Sequence, residues 1–401
     1  MKKLLILTFI LLSCKLFAQK EIKEYIRTDA CEIKSMDINH QDNTDLKAIK
    51  SAIGDSKIVL LGEQDHGDAP TFLMKARLVK YLHEECGFDV IAFESNFYDL
   101  QGAFERDSLN FEDAHKGIFP IWTQCSECDP LFSYLENTLK SKDPLYISGF
   151  DMQLYFNENY RNEFRTFLKE NNLKVSNAER FFKVFDVLVK DNKAYDLEEE
   201  ELSFYFKELE QLYTSYPKND FRKQELHSLI GHSKMRTASN IRETLNIRDK
   251  YMADNLLWLS NKRFKDEKII VWAHNFHIAR NTSKKVVSLG GEVHKVLGSQ
   301  IYSLGFTSFS GSTGWTNQTD ALHNYDIKEP HRSSIENDFK ALGYKQAFLD
   351  FRSYSGKKKN FSMKGLRHRV EVRDWMNILD GVIYIEEMKP CTKKEGSLKT
   401  Q

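Results

Sequence analysis

Short apolar runs ending in polar loops alternate with amphipathic stretches along most of this chain. Ile58-Val59-Leu60-Leu61 closes at Gly62 and reads as a strand buried on both faces. After the polar loop from Glu63 to Pro70, Phe72, Ala76, Val79 and Leu82 fall at helical spacing, and the helix they predict ends near Gly87. Asp89 to Phe93 is a second apolar run, so strand, helix and strand follow in the order of a right-handed parallel crossover. Further strands are expected at Pro144–Gly149, Lys268–Trp272, Gln300–Thr307, Gln346–Asp350 and Gly381–Ile385.

Between the third and fourth strands the strand signal fades. Leu202, Tyr205, Phe206, Leu209, Leu212 and Tyr213 recur at helical spacing with acids between them, and Arg242 to Leu259 alternates similarly. The pattern predicts an α/β protein with a mainly parallel central sheet flanked by helices, and a helical insertion at about 152–262 that could wall a cleft. No internal repeat or low-complexity linker interrupts it.

The N-terminus breaks the pattern. Lys2 and Lys3 precede an apolar run from Leu4 to Leu12, too short to span a bilayer, which predicts a secretory signal over residues 1–18 and a mature domain over 19–401. Two processing readings stay open. Leu11-Leu12-Ser13-Cys14 has the form of a lipobox that would leave Cys14 lipidated, and cleavage after Ala18 is the other. The expected location is the periplasm or outer surface, with membrane contact only through the signal or a lipid anchor.

Composition adds exclusions. The 401 residues carry 58 basic and 58 acidic side chains, and 41% are hydrophobic, enough for a large core. A balanced charge without basic blocks gives no electrostatic case for nucleic acid. In an oxidising compartment Cys125-x-x-Cys128 is expected to close a local disulfide, Cys31 and Cys391 near the chain ends to pair, and Cys86 to stay a buried thiol.

Ligands of open α/β sheets bind beyond the carboxyl ends of the strands. The first strand delivers Glu63 and His66 there, the second Glu94, Ser95 and Asn96, the third Asp151, and the fourth His274, Asn275 and His277. Singly, Glu63 or Asp151 is an ordinary helix cap and a lone histidine a surface residue, but Glu94 closes a strand that reads as buried and needs a charged or hydrogen-bonding partner. Together they converge on one edge. These residue types suit water activation: His66 as base, oriented by Glu63 or Glu94. His274 and His277 would polarise a carbonyl or protonate a leaving oxygen, and Lys75 would hold a carboxylate or an oxyanion. Asp151, Asn275 and Asn96 are expected to bind substrate. No G-x-S-x-G elbow argues for a serine nucleophile.

The stretches LGEQDHG and GFDVIAFE, RDKYMADNLLWL with VWAHNFHI, YSLGFTSFSG and LDGVIYIE resemble the erythromycin esterase family from Ile58 to Glu386, in the family's order. The resemblance implies hydrolysis of an ester or lactone, with macrolides as the family's substrates. It places the general base on His66, the loop acid on Glu63, the strand-end acid on Glu94 and the later histidines on His274 and His277. Lys75 stands where some members have arginine. No cofactor is required on this reading. Two others compete: a metal-dependent hydrolase using the same glutamates and histidines as zinc or manganese ligands, and a non-catalytic surface binding protein.

Overall fold

The computed structural model describes residues 21–105, 111–154, 159–190, 197–283, 285–357 and 360–394, with side chains at 102–105 and 190 excepted. The expected signal and Cys14 lie outside the described residues. Eleven strands occur among the described residues: β1 Cys31–Glu32, β2 Ile58–Leu61, β3 Val90–Asn96, β4 Tyr146–Asp151, β5 Ile269–Trp272, β6 Ile301–Gly314, β7 Asn324–Ile327, β8 Gln346–Asp350, β9 Phe361–Met363, β10 Glu371–Arg373 and β11 Gly381–Met388. Nine form one sheet in the order β1-β8-β11-β6-β2-β5-β3-β4, with β7 on β6, while β9 and β10 pair separately.

From β11 to β4 the sheet is parallel, and β8 closes one side antiparallel. All four β2 side chains are fully buried, but alternate residues serve different layers. Ile58 and Leu60 join a core shared with the helices of the insertion, and Val59 and Leu61 join one shared with the Ala69–Cys86 helix. That helix carries Pro70 in its first turn and ends at Gly87 with φ of 68°, a left-handed cap that glycine adopts without a Cβ clash.

The chain leaves β2 for β3 and β4, returns to lay β5 between β2 and β3, then places β6 on the far side of β2. This reversal opens a crevice over the carboxyl ends of β2 and β5, which is where such sheets hold ligands. Helices Tyr160–Glu170, Ala178–Lys190, Glu199–Ser215, Phe221–Arg236 and Ile241–Trp258 fill the interval between β4 and β5, and the last of them flanks the crevice. None of the described helices is long and apolar enough to cross a membrane.

Two differences from expectation matter for the site. β6 runs to Gly314 rather than stopping at Thr307, because its outer half pairs with β7 from Gly311 to Gly314. This hairpin overhangs the sheet's carboxyl edge. The cysteines also pair differently. Cys125 bridges Cys391 with a Cα–Cα separation of 5.4 Å, so neither the expected Cys125–Cys128 nor Cys31–Cys391 link forms. The Ser126–Cys128 turn points Cys128 into the core as a buried free thiol, and Cys86 is only half-buried. The partner was hidden because β11 carries Cys391 to the loop after Thr123 rather than to the N-terminal strand.

Candidate active site

His66 sits in the loop after β2, and its Nδ1 lies 2.7 Å from Glu63 Oε1. Glu63 is fully buried, and a buried carboxylate needs compensating donors. It has them: Lys75 Nζ donates to Oε2 at 2.6 Å, and Trp122 Nε1 donates to Oε1 at 3.2 Å. Lys75 is itself fully buried and stands 4.0 Å over the Trp272 ring. Burial pulls its ammonium below the ordinary lysine value, and Glu63 opposes the fall. Lys75 therefore backs a carboxylate and cannot meet an oxyanion in the cleft, which corrects half of its expected role.

The His66 ring stands edge-on between Trp122 and Trp315, with centroids at 5.7 and 5.0 Å. Burial disfavours its cation, but the hydrogen bond and charge of Glu63 outweigh that and hold it above the ordinary imidazole value. No protein group among the described residues bonds Nε2. With Nδ1–H directed at Glu63, the Nε2 lone pair faces the cleft.

A second cluster surrounds His277. Its Nδ1 lies 2.6 Å from Asp249, and Nε2 is 3.3 Å from both Glu94 Oε1 and Arg248 Nη1. Arg248 Nη2 donates to Glu94 at 2.8 Å and to Asp151 at 2.6 Å. Burial lowers the His277 cation, yet Asp249 and Glu94 prevail and raise it. Burial would push Glu94 up, but His277, Arg248 and His66 hold its carboxyl far below the usual range. Glu94 thus serves His277 and Arg248, and Glu63 alone bonds His66.

His274 joins the clusters, 5.3 Å from the His66 centroid and 6.3 Å from that of His277. Its Nε2–H donates to the Gln64 carbonyl at 2.7 Å, and its Nδ1 accepts from the Phe276 amide at 3.0 Å. Burial, with the His66 and His277 charges, drives it well below the ordinary value. Both nitrogens being committed in one neutral tautomer, His274 cannot protonate a leaving group without breaking the helix cap it makes. It is a neutral wall.

None of the three expected substrate contacts lines the cleft. Asn275 is fully buried and bridges the Phe306 and Gly365 backbones. Asn96 caps the helix that starts at Phe97, accepting from the Tyr98 amide. Asp151 is sealed beneath Arg248. Strand polarity delivered these residues to the right edge, but backbone groups took Asn275 and the Asn96 side-chain carbonyl, and Arg248 took Asp151.

A cleft of about 850 Å³ opens above His66, Arg248, His274 and His277. The β6–β7 hairpin roofs it: Trp315 donates to Asp65 Oδ1, and Tyr325 donates to Oδ2 at 2.7 Å. Glycine is required where this hairpin meets the His66 loop, since a Cβ on Gly67 would lie 2.5 Å from the Gly314 backbone. Beneath it Ser308, His368 and Asp68 form a hydrogen-bonded chain with links of 3.0 Å. Ser308 is fully buried and bonds Nδ1 rather than Nε2, so this chain ties the loops together and offers no nucleophile.

The donors do not fit a metal. Lys75, His66 and Trp122 occupy Glu63, Arg248 occupies Glu94, and both nitrogens of His274 are engaged. Among the described residues only Cys125, Glu127 and Cys391 converge as ligands would, and two of these form the disulfide.

Arg248, Asp249, Trp122 and Trp315 were missed from the sequence. Asp249 did leave a signal: it falls in register with Met252, Ala253 and Leu256 on the buried face of its helix, where an acid demands a partner.

The erythromycin esterase family model matches residues 83–398. YbfO of Bacillus subtilis (strain 168), which carries the name of a candidate hydrolase, is 26% identical over 88% of this chain and 89% of its own length. An Escherichia coli protein named erythromycin esterase type II is 26% identical over 79% of this chain and 86% of its own. The fold matches the crystal structure of a succinoglycan biosynthesis protein, with a TM-score of 0.77 at 20% identity over 94% of this chain and 99% of that one. It also matches an erythromycin esterase mutant in its open conformation, with a TM-score of 0.68 at 17% identity over 89% and 97%. The chain belongs to the erythromycin esterase family of hydrolases.

Proposed function

We propose that this protein hydrolyses a carboxylic ester or lactone, a macrolide among the candidates, with His66 as the base that activates water. The observation that carries this reading is the free Nε2 of His66, facing the cleft while Nδ1 is fixed by a buried glutamate. Nε2 takes a proton from water as its oxygen attacks the ester carbonyl. The Glu63 carboxylate stabilises the imidazolium, and Lys75 and Trp122 hold that carboxylate in place. The Arg248 guanidinium and, beside it, His277 line the cleft where the oxygen gains charge. Collapse breaks the acyl–oxygen bond, and the imidazolium returns its proton to the departing alkoxide. The products are one acid and one alcohol.

The cleft volume of about 850 Å³ lies toward the upper end of small-molecule sites, consistent with a macrocyclic ester. The charged and then apolar N-terminus, with the Cys125–Cys391 bridge, supports an oxidising compartment outside the cytoplasm as the place of action.

Incubation with macrolides and simple esters in ¹⁸O-water tests the reading. The expected products gain one water, carry the label in the acid, and fail to form with His66→Asn. Absence of product from the wild-type protein across a broad ester panel, or undiminished product from the variant, would overturn it.

A further inference from the structure

We propose that Trp122 is a positioning residue for the His66–Glu63 pair, and that the Cys125–Cys391 disulfide holds it in place, so that the site responds to the redox state of this bridge. The kinetic part rests on the esterase reading; the positional part does not.

Of the three donors on Glu63, His66 belongs to the same loop and Lys75 to the helix that follows it. Trp122 alone comes from elsewhere, the Pro120–Thr123 turn. A single turn of helix is not stable by itself. Its start is tied to β3, where Ser95 Oγ accepts from the Phe119 amide at 3.0 Å, and its end, which follows Trp122, is held by the segment after β11. Cys125, whose amide bonds the Trp122 carbonyl at 3.1 Å, carries the disulfide to Cys391. Around it, Ser126 donates to the Thr392 carbonyl at 3.0 Å, Lys394 to that of Gln124 at 3.1 Å, and Thr392 Oγ1 to Glu127 at 2.7 Å.

The same cysteine reaches the other side of His66. The Cys391 amide lies 3.1 Å from the Gly67 carbonyl and 3.2 Å from that of Gly314. Gly67 follows His66 and Gly314 precedes Trp315. One residue therefore ties the catalytic loop, the roof hairpin that presents Trp315, and, through its sulfur, the turn that presents Trp122. Both tryptophans flanking the His66 ring are thus fixed by one staple.

The titratable groups facing His66 are Glu63 and Asp65 from its own loop, Glu94 from β3 and the neutral His274 beyond β5. Lys75 and the Cys128 thiol face Glu63 from behind, and Arg367 faces His274. Trp122 is uncharged. Trp122→Phe therefore removes a donor from Glu63 while leaving every charge and most of the packing. A less satisfied Glu63 holds the imidazolium more tightly. Reduction by a small dithiol breaks the bridge by exchange: two electrons and two protons leave the reductant, Cys125 and Cys391 become thiols, and the reductant closes its own disulfide.

The test is ring ¹⁵N NMR of His66, assigned by its loss in His66→Asn, beside ester turnover. Trp122→Phe is expected to raise the His66 titration midpoint by at least about half a pH unit. Treating the folded protein with dithiothreitol is expected to move it the same way, since water reaching the ring relieves the burial that disfavours its cation. Turnover should fall at least threefold and return on reoxidation. These signatures separate positioning from simple support, which would lower stability and leave the midpoint alone. An unmoved midpoint in a folded Trp122→Phe protein, or a reduced protein titrating and turning over like the oxidised one, would overturn the proposal. A shifted midpoint in a protein that hydrolyses no ester would sustain the positional claim and remove only the esterase reading.

Discussion

The site holds two histidines built on one plan and finished differently. His66 and His277 each direct Nδ1 at a buried carboxylate, Glu63 or Asp249. In the first cluster Nε2 is left open to the cleft. In the second, Nε2 is met by Glu94 and Arg248, and Arg248 is pinned by Asp151. An open nitrogen can take a proton from water; one enclosed between Glu94 and Arg248 cannot. Identical first partners therefore do not define a base. What does is whether the second nitrogen has been spent.

The largest effect should come from breaking the enclosed cluster. Arg248→Met leaves Glu94 and Asp151 as buried carboxylates without their shared cation, a loss of about 3–5 kcal/mol read from the denaturant midpoint. A variant as stable as wild type would show that the Arg248 cation does not hold Glu94 and Asp151 together. His66→Asn should do the reverse. Turnover is expected to fall at least about a hundredfold, the usual size of general-base loss. Stability should fall by only about 1–2 kcal/mol, less than for Arg248→Met, because Lys75 and Trp122 still donate to the Glu63 carboxylate. If both variants lose stability and activity in the same proportion, the division between the two histidines fails.

Much of this was legible before any coordinates. Short continuous apolar runs and strand-end punctuation located the parallel strands, and strand polarity brought Glu63, His66, Glu94, His274 and His277 to one edge. The apolar run up to Phe93 also showed that Glu94 would need a partner. The partner itself was not legible. Arg248 lies 154 positions from Glu94 on a helix of the insertion, and periodicity within a helix says nothing about which strand it packs on. The hairpin was missed because Ser308 to Gly314 has no hydrophobic alternation; its pairing is enforced by β7 and β11 instead. Asn275 shows the opposite failure. Its position looked functional, yet its amide was needed by two backbone segments.

That last point gives a smaller test. Asn275→Ala strips partners from the buried Phe306 amide and carbonyl and the Gly365 carbonyl, and should cost about 1–3 kcal/mol of stability. Since the side chain does not line the cleft, KM for any ester turned over should stay within about twofold of wild type. A large KM increase at unchanged stability would restore the substrate-binding role that its position suggested.

The subtlest test uses pH, because the two clusters want different ranges. Glu94 is held below its ordinary value of 4.5, so the stability it contributes is present above that value and fades as acid protonates it. His277 is raised above 6.5, so its contribution is complete below 6.5 and is lost as pH climbs through its elevated midpoint. The enclosed cluster is therefore most stabilising between about 4.5 and 6.5. His66 is also raised above 6.5, and the base proposed above acts only when neutral, so kcat/KM should fall tenfold per unit below that midpoint. Activity should thus peak at a higher pH than this cluster's share of stability. Denaturant midpoints and kcat/KM measured from pH 4 to pH 9, with His277→Gln removing the histidine share of the stability curve, read both. Coincident optima would mean that one ionisation governs both clusters, and the open and enclosed nitrogens would then lose their separate meanings.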